Sequence, residues 1–251
     1  MSTVETQPEP TADASKVIGF PEHRITAERY RKMVEAGIFA DDEPISLCDG
    51  RLVERSSLAG QTGLIPHRMT VERYERLVEA GVFGEDEPIF LLDGRLVEKM
   101  TKGFRHSFGA LKLNRTLDRL IPPEFHARLE QPIFVREGIM PEPDVAIVRG
   151  TLDDYRDGHP TVHDTALVVE VADSSVAEDQ QIIPRVYASA SIPVAWLVNI
   201  PRRRVEVFSE PSGPTEAPRY AKCVRHEIDA EIPVVLDGVV AGRILVSTLI
   251  A

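Results

Sequence analysis

PEPDVAIV (141–148) and ALVVEVADSS (166–175) decide how this chain reads. Each holds a short apolar run rich in β-branched residues, the composition of a buried strand. Each run also carries one carboxylate that a strand core should exclude, Asp144 and Glu170. An ionised carboxylate is costly to bury unless it is paired or binds a metal. If the two strands are neighbours, both side chains can converge on one divalent cation, the skeleton of a metal-dependent phosphodiesterase site. The bland reading, an edge pair in solvent, is weaker because both residues interrupt otherwise apolar runs.

The chain around them has 251 residues and is 43% apolar, enough for one large domain with a small appendage. No apolar run approaches the roughly 20 residues needed to span a bilayer, so no membrane partner is expected. The opening MSTVETQPEPTADASK is polar, contains prolines and lacks an apolar core. It is expected to be a disordered tail over 1–20, not a signal peptide. Cys48 and Cys223 make neither a disulfide framework nor a zinc site, which points to a reducing, cytoplasmic setting. The net charge of −11 argues against tight non-specific DNA binding, which needs a basic footprint. Arg202, Arg203 and Arg204 offer a local basic patch, although an arginine run at a turn is usually a solvated connection.

The chain also repeats itself. HRITAERYRKMVEAGIFADDEPISLCDGRLVE starts at His23, and HRMTVERYERLVEAGVFGEDEPIFLLDGRLVE starts at His67. Of the 32 aligned positions, 10 differ and 22 are identical. In the second copy Thr70 reads as an N-cap, and Val71, Tyr74, Leu77 and Val78 as the apolar stripe of a helix to Ala80. Gly81 stops that helix, and Asp93-Gly94 is a two-residue hairpin turn. Thr26, Gly37 and Asp49-Gly50 are the counterparts in the first copy. The organisation expected is a duplicated helix–hairpin unit over 21–58, a linker over 59–65 and the main domain over 66–251. The second copy runs straight into that domain. Three outcomes are open to the first: packing on the domain edge, pairing with a second protomer in a homodimer, or persisting as a poorly ordered remnant.

Beyond the repeats, residues 104–121 read as a helix ended by Pro122-Pro123. Strands are expected over 127–135, 141–148 and 165–172, then a helix over 176–190 that Pro184 kinks or delays. VAWLVN (194–199) and RRVEVFSE (203–210) form a hairpin, with further short strands after it. The fold class is therefore mixed α/β, with one central sheet flanked by helices. Trp196 and Tyr187 read as packing residues. His106 reads equally as a helix histidine or a site residue. His159 and His163 beside Asp164 read as a solvated loop, Glu130 has a weak claim to approach the site, and Asp173 and Asp179 read as caps or supporting groups.

Several strings together resemble one family: RMTVERYERLVEAGVF, LLDGRLVE, PEPDVAIVRG, HPTVHDTALVVEVADSS, YASASIPVAWLVN and RRRVEVFSEP. Over about residues 66–210 the chain is similar to the bacterial restriction endonucleases of the Uma-two family, within the PD-(D/E)XK nuclease superfamily. The resemblance implies a restriction-endonuclease-like core and Mg²⁺-dependent cleavage of DNA. It assigns Asp144 and Glu170 as the catalytic, metal-binding carboxylates, with Mg²⁺ or Mn²⁺ as the cofactor. It also implies a lysine four residues past the aspartate matched by Asp179, a position held here by Ile183. The superfamily's commoner lysine position, two after Glu170, is Ala172. A hairpin glutamate three before the Asp-Gly turn is replaced by Phe90, and by Ser46 in the first copy.

The function expected from this is a Mg-dependent DNA endonuclease with a depleted site and weak DNA binding. The alternative is a catalytically inactive nuclease-fold protein acting in binding or assembly. An unrelated metal hydrolase is a distant third.

Overall fold

Thr26 and Thr70 set the first two helices, each accepting a hydrogen bond from the backbone N–H three residues on, at 3.2 Å in both cases. In the computed structural model, which describes residues 20–40, 42–58, 61–84, 87–99, 103–173 and 182–250, these are α1 (Ala27–Glu35) and α2 (Val71–Glu79). Val71, Tyr74 and Leu77 of α2 are buried as the periodicity predicts, while Val78 lies at the rim and is exposed. Each helix leads to a hairpin, β1 (Ile45–Cys48) with β2 (Arg51–Leu58), and β4 (Ile89–Leu92) with β5 (Arg95–Glu98). Asp49-Gly50 and Asp93-Gly94 all have positive φ, 48°, 70°, 49° and 68°. That is the backbone a two-residue turn needs to match strand twist. The stretch expected as a linker includes β3 (Gln61–Pro66), which pairs antiparallel with β2. Of the expected tail, only Phe20 is described. It is buried, with its ring edge-on to Phe90 at 5.2 Å between centroids.

The first copy packs on the second within the chain, through contacts that are reciprocal under the 44-residue offset. His23 N–H donates to Leu96 O at 2.8 Å and His67 N–H to Leu52 O at 2.9 Å. Arg29 grips Glu87 through both carboxylate oxygens, at 2.6 and 2.7 Å, and Arg73 pairs with Glu43. The His23 ring lies edge-on to Phe83 and the His67 ring edge-on to Phe39. Half-buried ion pairs of this kind contribute about 1 kcal/mol at most. The larger contribution comes from the shared apolar cluster, in which Met33, Ile38, Leu77 and Leu91 are buried.

After α3 (Phe104–Asp118) comes the central sheet: β6 (Phe125–Leu129), β7 (Val145–Arg149), β8 (Thr165–Ala172), β9 (Val194–Asn199), β10 (Arg204–Pro211) and β11 (Tyr220–Glu227). Its order is β11-β10-β9-β8-β7-β6, and only β8 and β9 pair in parallel. Every residue of β8 is buried, because both faces of the sheet are covered. Leu167, Val169 and Val171 face α3 and the hairpin of β12 (Glu231–Leu236) and β13 (Val239–Leu245), which α4 (Val246–Leu249) follows. Val168 and Ala172 face Phe90, Val97 and Tyr187. Trp196 is core, as expected.

Two expected elements differ. The strand read over 127–135 ends at Leu129, where Glu130 takes a φ of +51°. The helix read over 176–190 is described only from Ile182, and there it is a π-turn over Ile183–Ala188. Asp179 lies outside the described residues. Among those described, no helix is long and apolar enough to cross a membrane.

Candidate metal centre

Antiparallel pairing sets Val145 opposite Val169, so Asp144 and Glu170 end up across from each other on adjacent chains. Alternation along the strands then fixes their side. Asp144 shares the face of Ala146 and Val148, and Glu170 that of Val168 and Ala172, the face closed by β4, β5 and the π-turn. Both residues are only 2% exposed, so their charge must be balanced within the fold.

The two carboxylates are held in the same manner. Asp144 Oδ2 accepts from the Val171 N–H at 2.8 Å and from His106 Nε2 at 3.0 Å. Glu170 Oε1 accepts from the Tyr187 hydroxyl at 2.5 Å. The other oxygen of each meets one ammonium. Lys99 Nζ lies 3.8 Å from Asp144 Oδ1 and 3.9 Å from Glu170 Oε2, and it also donates to the Glu142 carbonyl. One oxygen of each carboxylate is thus anchored, and the second turns toward a common point.

His106 comes from the first turn of α3 and is buried; its Nδ1 has no hydrogen-bond partner. With Glu130 and Asp144 it forms a group whose ligand atoms lie within 4.8 Å of one another. Glu130 reaches it from the left-handed backbone that ended β6, with its N–H on the Asp144 carbonyl at 3.0 Å. Such backbone is costly for a residue other than glycine and clusters at functional sites. Two carboxylates and an imidazole suit Mn²⁺ well, and Mg²⁺ through the oxygens.

Beside Glu130 opens a cleft of about 750 Å³ that also takes in Tyr74, Glu142, Arg128 and Tyr155. Arg128 is buried, with its guanidinium 5.9 Å from the Tyr155 ring centroid and its Nε without a hydrogen-bond partner. The rim is acidic. Burial, and then the neighbouring charges of Glu79, Glu137 and Glu72, push the Glu75 carboxyl above the ordinary carboxylate range.

Other sequence candidates settle elsewhere. Asp164 caps its own loop through the Thr161 N–H and hydroxyl, and His159 lies 3.7 Å from Glu75. Arg204 pairs with Glu206 in its own strand, while Arg202 and Arg203 are exposed at the turn. Tyr187, read as packing alone, is fully buried and also holds Glu170. Lys99 was not foreseen. Its signal was parity: it lies two residues past Val97, the β5 residue that faces the core beneath the carboxylates.

The chain matches the Uma2 family model, described as "Putative restriction endonuclease", over residues 71–236, more than half its length. The chain belongs to the Uma2 family. A crystal structure described as a "putative nuclease belonging to DUF820", from Anabaena variabilis, has the same fold with a TM-score of 0.51. It is 14% identical and covers 72% of this chain and 97% of its own. No curated protein matches. In this Uma2 chain the two positions where the family resemblance implies polar groups, Phe90 and Ile183, are buried in one apolar cluster.

Proposed function

We propose that this chain is a divalent-metal-dependent DNA endonuclease that binds DNA weakly. The observation that carries the reading is the arrangement of Asp144 and Glu170. They are buried opposite each other, with one oxygen of each held by donors and the other turned toward the Lys99 ammonium. Asp144 and Glu170, with His106 and Glu130, would hold Mg²⁺ or Mn²⁺. A bound divalent ion lowers the pKa of water and offsets charge on a phosphoryl group. In the reaction a water oxygen forms a new bond to phosphorus as the bond to the leaving deoxyribose oxygen breaks. One proton leaves the water and one is taken up by the leaving oxygen. Weak binding follows from the net charge of −11 and the acidic cleft rim. Two free, exposed cysteines support a reducing, cytoplasmic setting.

A second reading is a nuclease-fold protein without activity. It is favoured by Ile183, an apolar buried residue where the resemblance implies a lysine. Nicking of supercoiled plasmid with Mg²⁺ or Mn²⁺ separates the two. Wild-type nicking that disappears in Glu170→Ala is the expected result. Absent nicking, or nicking that the substitution leaves unchanged, sinks the endonuclease reading and favours the inactive protein.

A further inference from the structure

We propose that Lys99 is the catalytic lysine of this site, supplied from the hairpin in place of the helix after β8. The inference rests on the endonuclease reading above. Three observations carry it. Lys99 Nζ lies within 4 Å of an oxygen of both carboxylates, 3.8 Å from Asp144 and 3.9 Å from Glu170. Its side chain is 12% exposed, so the ammonium sits inside the site and not on its rim. The Glu142 carbonyl accepts from it, which fixes where the ammonium sits just before Asp144. The helix position meanwhile carries Ile183, fully buried in the apolar cluster under the sheet, where a lysine would meet no water.

The placement follows from local structure. β5 ends at Glu98 with Val97 pointing into the core. The next inward side chain is Lys99, which clears the strand end and reaches the carboxylate pair. The equivalent residue of the first copy, Arg55, is exposed and far along the longer strand β2, so only the second copy serves the site. An ammonium there supplies three donors. One can remain on a carboxylate while another meets a non-bridging phosphoryl oxygen as negative charge builds on it. Lys99 gives up no proton in this role, and the hydrolysis balances as written above.

The rival account makes Lys99 a built-in cation that neutralises the carboxylates and takes the place of a metal. The two accounts predict opposite results for Lys99→Met in the full-length protein. Plasmid nicking, Mn²⁺ binding by electron paramagnetic resonance without DNA, and thermal unfolding would be measured together, beside wild type and Glu170→Ala. For a catalytic Lys99, nicking falls by about 100- to 1,000-fold, as when one charge-stabilising donor is removed. Mn²⁺ binding stays the same or tightens, because a like charge has left the metal's neighbourhood. Lys99→Arg should recover part of the nicking. Nicking unchanged or faster in Lys99→Met, while Glu170→Ala abolishes it, overturns the role of Lys99 and leaves the endonuclease reading standing. Loss of Mn²⁺ binding or of folding in Lys99→Met makes the residue structural and also overturns it. A wild type that neither nicks nor binds Mn²⁺ overturns both.

Discussion

Tyr187→Phe removes one oxygen from the fully buried hydroxyl that donates to Glu170 Oε1, and it leaves the ring in the apolar cluster. The packing of the ring is therefore conserved, and the change tests the hydroxyl's hydrogen bond to a buried carboxylate. Hydrogen bonds to charged groups contribute about 1.5–3 kcal/mol, against about 0.5–1.5 for neutral pairs. The protein holds its own control. Tyr220 is also buried, but its hydroxyl donates to the neutral Ile192 carbonyl at 2.8 Å. Tyr187→Phe should thus cost about twice what Tyr220→Phe costs. For a chain of this size a loss of 1.5–3 kcal/mol lowers Tm by roughly 3–12 °C. Urea unfolding of the two variants beside wild type measures the difference directly. Equal costs, or a Tyr187→Phe cost below about 0.5 kcal/mol, would mean that the hydroxyl does not anchor an ionised Glu170. The reasoning about a fixed carboxylate oxygen would then fail. If it holds, Mn²⁺ binding should also weaken in Tyr187→Phe and stay unchanged in Tyr220→Phe.

The cross-copy contacts make stability sensitive to acid. The Arg73 side-chain hydrogen bond, then that of the Ala40 N–H, holds Glu43 below its ordinary value of 4.5. A depressed carboxylate stabilises the fold above its unfolded value and loses that contribution as pH falls through the folded one. Arg73→Gln should therefore flatten the fall in urea midpoint between about pH 5 and 3; an unchanged slope refutes the coupling. We propose β3 as the contact of a homodimer, since Leu64 is 59% exposed and Ile65 39% exposed on an edge strand. Leu64→Lys should then halve the mass measured by light scattering, and a wild type that is already monomeric discards the idea.

Most of the architecture was legible locally. Cap, stripe and turn placed both helix–hairpin units, because each signal acts over a few residues: a threonine before the helix, glycine after it, Asp-Gly between strands. The apolar runs around Asp144 and Glu170 announced two buried strands, and the adjacency that sets the two carboxylates opposite each other came from pairing. What resisted reading was nonlocal. Glu130 approaches Asp144 only because its backbone turns left-handed, which no neighbouring residue demands. Pro184 signals a kinked or late helix over 176–190, but that it becomes a π-turn at Ile183–Ala188 is settled by packing and not by apolar spacing.

The sequence by itself determined the two helix–hairpin patterns, the family and the apolar runs around the pair of carboxylates, since burial and periodicity are written residue by residue. Only the tertiary structure decided what meets those carboxylates. Lys99 stands 45 residues from Asp144 and 71 from Glu170 in the chain, yet within 4 Å of both. Likewise the first repeat found its partner in the second through reciprocal contacts between residues about 60 or 30 apart, such as Arg29 with Glu87 and Arg73 with Glu43. Such pairings depend on how hairpin, helix and sheet close over one another. Closure minimises exposed apolar surface across the whole chain, and no single stretch of sequence encodes it.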